Sequence, residues 1–540
     1  MRKELKIFLT FFILYSFFIQ WFGWNEESRL SLTKAITEEG KFEIDSYFNY
    51  TGDRSYYKGH YYSDKDVGLS LLAAPAYKSW ELAYSPFPQE FKEKYAGNKN
   101  YVTLLINNVS ISTPEDPGFF TFTSMILITI FMSCLPSALL VVLVYKTLKN
   151  FLEKERHRLL VTLTYGLGTL AFPAALIFMG HAAAAFFTFL SFYLLFKMKN
   201  EKKHDKKYFI LTGLLAGFGV VTENIVVLIT IVLFVYSYVI DRKKALLFIL
   251  GAFLGILPMF LYNFSIFGTP FDSTKAYIDR SIYISAYPDE TNSSTSKILK
   301  NAIFPYEELE KILRHLHFTT SPPNFYVIFR LLVDPYRGLL FYYPVLALSF
   351  VSLFYMHKKY RIEALIILSI FISFLFILSM RSSWWGSYGF GNRYLMPVIP
   401  FLILPMVFVF KKAKLILISI LIFLSIFVNF LGLQTPEDYI SDIHAMEMKK
   451  EYLTKQDTFE PFPNPLFNYY LPLFLKNGPR SRIFESLSNG YLSVDIRVFP
   501  LSKKPTFPFD SFYVPFLCLI PLLIIFLLIW RSEIACLKKS

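Results

Sequence analysis

Apolar runs of about 17 to 25 residues, the length an α-helix needs to cross the hydrocarbon of a bilayer, recur along most of this 540-residue chain. A chain that carries so many cannot hide them in one water-soluble core. The runs are Ile7 to Trp24, Phe119 to Tyr145, Leu159 to Leu176, Ala182 to Phe196, Tyr208 to Thr222, Ile225 to Ile240, Ala245 to Tyr262, Gly338 to Met356, Ile362 to Met380, Leu395 to Phe410, Leu415 to Leu433 and Phe512 to Trp530. With 54% hydrophobic residues, the expected fold is an all-α polytopic membrane protein, a bundle of about twelve transmembrane helices.

The distribution of charge orients that bundle. The N-terminus, 146–158, 197–207, 241–244, 357–361, 411–414 and 531–540 hold 26 basic and 7 acidic residues, an excess larger than the net +14 of the whole chain. Basic residues in alternate short loops are the positive-inside pattern, so both termini are expected in the cytoplasm of a multi-pass plasma-membrane protein. The basic excess is then a topology signal facing anionic lipid, and nucleic acid is not an expected partner. Cys134 and Cys518 fall in apolar runs and Cys536 in the last basic stretch, which leaves no outer disulfide framework. The first run ends in Trp21-Phe22-Gly23-Trp24 with no small-residue cleavage site, as in a retained signal anchor.

This topology puts three long segments outside, 25–118, 265–337 and 434–510, whereas the cytoplasmic loops are too short to house a domain. Function is therefore expected to face outward. The chain divides into a module over 1–433, an outer loop region over 434–510 and a last helix with its tail over 511–540. Leu30, Leu32, Ala35 and Ile36 have helical spacing within Glu26 to Glu39, and Gly40 offers a stop, which predicts a short surface helix. Gly68 to Tyr84, with Pro75 inside it, predicts a second interfacial helix. Phe459 to Pro465 reads as surface loop, and the sequons at Asn49, Asn108 and Asn292 all fall outside.

Charged side chains close to a bilayer are costly and point to function. Glu26-Glu27 sits where the first run emerges, with Arg29 beside it. A carboxylate there can take the proton of an attacking hydroxyl, and the same acids also suit the first turn of a helix. Tyr61-Tyr62-Ser63-Asp64-Lys65-Asp66-Val67-Gly68 leads into the second surface helix, and Lys65 can hold a phosphate or snorkel between Asp64 and Asp66. Trp384 to Tyr394 joins glycines and aromatics to Arg393, which suits a bidentate phosphate contact or an aromatic belt. His181 and Glu223 lie at outer helix ends and could line the same cavity, as could Asp53. His315 and His317 lack a local carboxylate set, so no metal ligand is assigned and no cofactor is expected, with a divalent ion left open.

Together these pieces resemble the GT-C membrane glycosyltransferases, and within them glycosyltransferase family 39, which includes protein O-mannosyltransferases and the lipid A aminoarabinose transferase. The resemblance rests on the cytoplasmic N-terminus, the long first outer loop, the acidic pair Glu26-Glu27 followed by Arg29, and Tyr62-Ser63-Asp64-Lys65 leading into a surface helix. It covers the layout of most of the first 430 residues and is strong in sequence only at these clusters. The chain departs from the family at Glu26, where aspartate is usual, and at Asp66, where proline is usual. Glu26, Glu27, Asp53 and Asp64 therefore all stay open as the base.

The resemblance implies an inverting glycosyl transfer from a dolichyl or undecaprenyl phosphate donor to a hydroxyl of a protein, lipid or glycan. Glu26, Glu27 or Asp64 would serve as base, and Lys65, Arg393, Arg29 and Tyr62 would hold the donor phosphate. The topology favours the same donor class, since nucleotide sugars are cytoplasmic and a transferase acting outside needs a sugar carried in the bilayer. A glycan polymerase or ligase and a multi-span transporter or flippase are the alternatives. No internal repeat of the kind transporters carry is visible.

Overall fold

The computed structural model describes residues 2–20, 23–96, 98–106, 109–116, 118–152, 154–278, 323–381, 384–386, 390–411, 415–434, 464–479 and 519–537. Trp21, Phe22, Asn108, Asn292, His315, His317, Ser387-Tyr388-Gly389, Cys518 and most of Phe459 to Pro465 lie outside the described residues.

Helix forms in every one of the twelve apolar stretches. The chain runs through α1 (Lys3–Phe17), α2 (Trp24–Lys34), α3 (Gly68–Tyr84), α4 (Gly118–Leu148), α5 (Glu155–Leu167), α6 (Gly180–Glu201), α7 (Lys206–Thr222), α8 (Val227–Ile240), α9 (Ala245–Phe267), α10 (Phe325–Val333), α11 (Leu346–Lys359), α12 (Arg361–Ser379), α13 (Leu415–Leu431) and α14 (Leu519–Leu537). Among the described residues four helices, α4, α6, α9 and α12, are long and apolar enough to cross a bilayer unbroken. A fifth crossing counts if Arg393–Leu402 and Leu404–Phe410, bent by 48°, form one span. Elsewhere helices are shorter than a crossing or are interrupted.

The interruptions have local causes. Pro397, Pro400 and Pro405 remove backbone donors from the bent pair, and Pro344 separates Leu339–Tyr342 from α11. The third run is expected as one span, but α5 stops at Leu167 and only the short turn Ala171–Ala175 follows Gly168. Strands are few: β1 (Arg54–Tyr57) pairs antiparallel with β2 (His60–Ser63), and β3 (Asn98–Ile106) with β4 (Val109–Asp116).

Helix forms in both segments expected to lie on the surface, and α2 is largely buried. The polar first turn of α2 carries Glu26 and Glu27, and its last residues continue as a wider turn to Glu39, where Gly40 ends it at φ 65°. α3 runs unbroken through Pro75. Beneath them one large core joins α1, α4, α5, α6, α8, α11 and α12. Glycines at 213 and 217 on α7 face α9 where 251 and 255 face α7, and an added Cβ at any of the four would strike the backbone of the other helix, so the two helices cross closely.

Basic stretches meet at one end of this bundle. Lys3 pairs with Glu155, Lys149 with Glu4 and Lys6 with Glu533. Tyr360 donates to the Asn150 carbonyl at 2.9 Å, Lys199 meets Glu363 at 2.5 Å, and His204 faces Asp241 at 3.5 Å. Six separate basic segments are thereby tied together. At the opposite end of α6, roughly 30 Å away by helix rise, lies His181. The candidate residues gather there.

Candidate functional site

Emerging from α1, the chain turns into α2 with Glu26 in its first turn. The buried carboxylate, 1% exposed, accepts a hydrogen bond from the Gly23 amide at 3.0 Å and so caps its own helix. Arg29 lies on the next turn and is equally buried. Its Nε donates to Asn25 Oδ1 at 3.1 Å, its Nη1 to the Asp66 carbonyl at 3.2 Å, and its Nη2 lies 3.7 Å from Glu223 Oε2.

The β1–β2 hairpin carries the chain back to α2, where the Ser28 and Ser63 hydroxyls meet at 2.7 Å. Three charged residues follow Ser63. Lys65 Nζ lies 2.7 Å from Asp53 and 3.1 Å from Asp64. The other oxygen of Asp64, Oδ1, is buried without a hydrogen-bond partner. Asp66 turns instead to Lys275, 2.8 Å from each carboxylate oxygen, and also accepts from the Asn224 amide at 3.0 Å. Ser55 completes the link by donating to the Thr274 carbonyl at 2.6 Å.

Glu223 ends α7 between the starts of α3 and α6. That approach is possible because of two glycines. A Cβ on Gly68 would stand 2.5 Å from the Val221 carbonyl oxygen, and one on Gly180 only 2.2 Å from that of Thr222. His181 follows Gly180 and brings Nδ1 to 3.5 Å from Glu223 Oε2. Arg393 enters from far along the chain. The Asn392 side chain donates to the Trp384 carbonyl at 2.9 Å and accepts from the Tyr394 amide at 3.2 Å, which fixes the turn before it. Arg393 Nη1 rests on Met179 Sδ at 3.4 Å, while its Nε is buried without a partner. Gln20, Leu170, Met179, His181, Phe390 and Arg393 line a cavity of about 30 Å³.

Charge tunes these groups unequally. Burial pushes the Glu26 carboxyl up to about 7, against the opposing hydrogen bonds of its capping amide and the charges of Arg393 and Arg29. Glu27 rises to about 7 through burial as well, with Lys34 opposing and Glu26 adding to the shift. The Asp64 carboxyl is also raised by burial, although Lys65 pulls it down. Lys65 is desolvated, yet Asp53 and Asp64 outweigh that and hold its ammonium above the usual range. Glu223 goes the other way: burial favours its neutral form, but His181, Lys275, Arg29 and Arg393 together keep it ionised.

Glu26, Arg29, Asp53, Asp64, Lys65, His181, Glu223 and Arg393, all candidates from the sequence, thus come to one end of the bundle. Glu27 and Tyr62 stand apart. Glu27 faces Lys34 and Tyr50, while burial, helped by the nearby Glu43 charge, pushes the Tyr62 hydroxyl up to about 12. Asp66 and Lys275 were not candidates. The sequence marks Asp66 as a local partner for Lys65 and as standing where proline is usual, but Lys65 pairs with Asp53 and Asp64 instead, and Lys275 carries no local signal. Among the described residues no group of three or more His, Cys, Asp or Glu side chains is arranged to hold a metal ion.

No family model matches the sequence, and no curated protein matches it. Solved structures do resemble the fold. An oligosaccharyltransferase of Archaeoglobus fulgidus in its apo form is 13% identical with a TM-score of 0.46 over 86% of this chain. The oligosaccharyltransferase AglB of the same organism, in complex with an inhibitory peptide and a dolichol-phosphate, is 12% identical with a TM-score of 0.47 over 85% of this chain. The chain spans 60% of the length of either. ArnT from Cupriavidus metallidurans, bound to undecaprenyl phosphate, is 12% identical with a TM-score of 0.43, covering 88% of this chain and 69% of its own. At these identities the likeness extends to the arrangement of the helices alone.

Proposed function

We propose that this chain is an integral membrane glycosyltransferase of the hexosyltransferase class, moving a sugar from a polyprenyl phosphate to an acceptor hydroxyl on the outer face with inversion. The observation that carries the reading is the meeting of Arg29, Lys65 and Arg393, from three distant stretches, with buried Glu26 and Asp64 at the end of the bundle away from the basic loops. An outer site of this composition suits an anionic lipid-borne donor and an acceptor that must lose a proton.

In the proposed reaction the acceptor oxygen attacks the anomeric carbon and the bond from that carbon to the phosphate oxygen breaks. The hydroxyl proton passes to Glu26, whose carboxyl, lifted to about 7, is a stronger base than an ordinary glutamate. The leaving lipid phosphate gains a charge, which Lys65 and Arg393 offset from fixed positions. Asp53 and Asp64 keep Lys65 charged for that role. Arg29 is a positioning residue between α2, Asp66 and Glu223.

The test is release of polyprenyl phosphate from a polyprenyl-phosphate hexose by membranes carrying the protein. E26Q, K65A and R393A should each slow release by roughly 10²- to 10³-fold, the loss typical of one fixed transition-state contact. Unchanged release in all three would overturn the reading. A long glycan product would favour a polymerase, and uptake without covalent product a transporter.

A further inference from the structure

We infer that His181 reads a hydroxyl of the transferred sugar, as a hydrogen-bond acceptor whose tautomer Glu223 selects. This rests on the donor reading above and adds to it a sugar-recognition element distinct from the phosphate contacts.

The geometry carries the assignment. His181 is 5% exposed, and its Nδ1 lies 3.5 Å from Glu223 Oε2, a charge contact in which Nδ1 makes no hydrogen bond. Arg29 Nη2 lies 3.7 Å from that same carboxylate oxygen. A carboxylate at that distance favours hydrogen on Nδ1 over hydrogen on Nε2, which leaves Nε2 its lone pair. The ring lines the cavity together with Arg393, and because Nδ1 is sealed off, Nε2 is the ring nitrogen left to serve it.

Arg393 supplies the complement. Its guanidinium lines the same cavity, with Met179 Sδ, a weak acceptor, 3.4 Å from Nη1. A group that fits both must donate to His181 and accept from Arg393. A fully ionised phosphate has nothing to donate, whereas a sugar hydroxyl does both. The cavity, about 30 Å³ and otherwise lined largely by Leu170, Pro173, Ala174 and Phe390, holds a hydroxyl or hydroxymethyl substituent and not a whole ring.

Binding by the full-length protein in nanodiscs separates this role from a phosphate contact. The probes are undecaprenyl phosphate and its glucose, mannose and galactose monophosphate conjugates. H181A should bind undecaprenyl phosphate as the wild type does and lose roughly fivefold to tenfold affinity for the conjugate the wild type prefers, about one neutral hydrogen bond. H181N, which keeps an acceptor, should recover part of that preference, and R393A should weaken every probe. Equal weakening of bare and sugar-bearing lipids in H181A, or no weakening of either, overturns the inference while leaving the donor reading intact. Failure of the wild type to bind any of the four lipids overturns the donor reading itself, and the inference with it.

Discussion

Lys275 holds both carboxylate oxygens of Asp66 at 2.8 Å, across 209 positions of sequence. Asp66 also takes the Asn224 amide, and its carbonyl takes Arg29. One aspartate thus ties the turn around Lys275, the end of α7 and helix α2 into a single support for Glu223. K275M leaves Asp66 charged, buried and short of a partner, a change that costs about 3 kcal/mol. D66N/K275M removes both charges and should recover most of that loss. A double-mutant cycle read by thermal unfolding in detergent checks it, and additive losses would mean that the pair contributes no coupling.

Two carboxyls with raised pKa give stability a definite pH dependence. Glu26 and Glu27 titrate near 7 in the folded protein against about 4.5 as the ordinary value. Between those limits the folded state holds protons that the unfolded chain has released, so these groups subtract stability as pH rises through the window. E27Q should match the wild type at pH 4 and unfold at a higher temperature at pH 8. The same shift at Glu26 predicts that kcat/KM for transfer rises about tenfold per pH unit below 7 and levels above it. A profile flat from pH 5 to 8 would remove Glu26 as the base.

Close approach at Gly180 positions Glu223 against His181. An added Cβ would lie 2.2 Å from the Thr222 carbonyl oxygen and 3.0 Å from Glu223 Oε2, and backbone cannot yield as a flexible side chain does. G180A should therefore cost about 1 to 3 kcal/mol of stability and lower transfer beyond what the folded fraction explains. Gly40 is the contrast. It sits at φ 65° with nothing within 4 Å of a built Cβ, so G40N, which tolerates that conformation, should leave both properties near wild type. Equal effects at the two positions would mean that contact with α7 is not what Gly180 provides.

Local patterns were legible in the sequence. Leu30, Leu32, Ala35 and Ile36 marked the α2 region, Gly40 its stop, and the apolar run from Gly68 the helix α3, because each depends on neighbours a few residues away. Glu26 and Glu27 were indistinguishable there. Only the rotation of α2 separates them, sending one toward Arg29 and Arg393 and the other toward Lys34. Asp66 and Lys275 were illegible for a related reason, since a pair formed across 209 residues leaves no periodicity in either segment. Span breaks at Pro344 and near Pro397 lay inside runs whose hydropathy alone looks continuous.

The gathering of charges at one end of the bundle makes sidedness testable. Lys3, Lys6, Lys149 and Lys199 join their partners at one end of the bundle, and Lys358 lies exposed at the last turn of α11, next to Tyr360, which binds Asn150 at that same end. Lys58 is exposed at the turn between β1 and β2, on the hairpin that delivers Lys65 to the site. If the basic end is cytoplasmic, a membrane-impermeant maleimide added to intact cells should label K58C and spare K358C until the membrane is permeabilised. Cys134, Cys518 and Cys536 are first replaced by serine so that each variant holds one thiol. The reverse pattern would turn Glu26, Lys65 and Arg393 toward the cytoplasm, where nucleotide sugars are at hand, and would withdraw the reason for a lipid-borne donor.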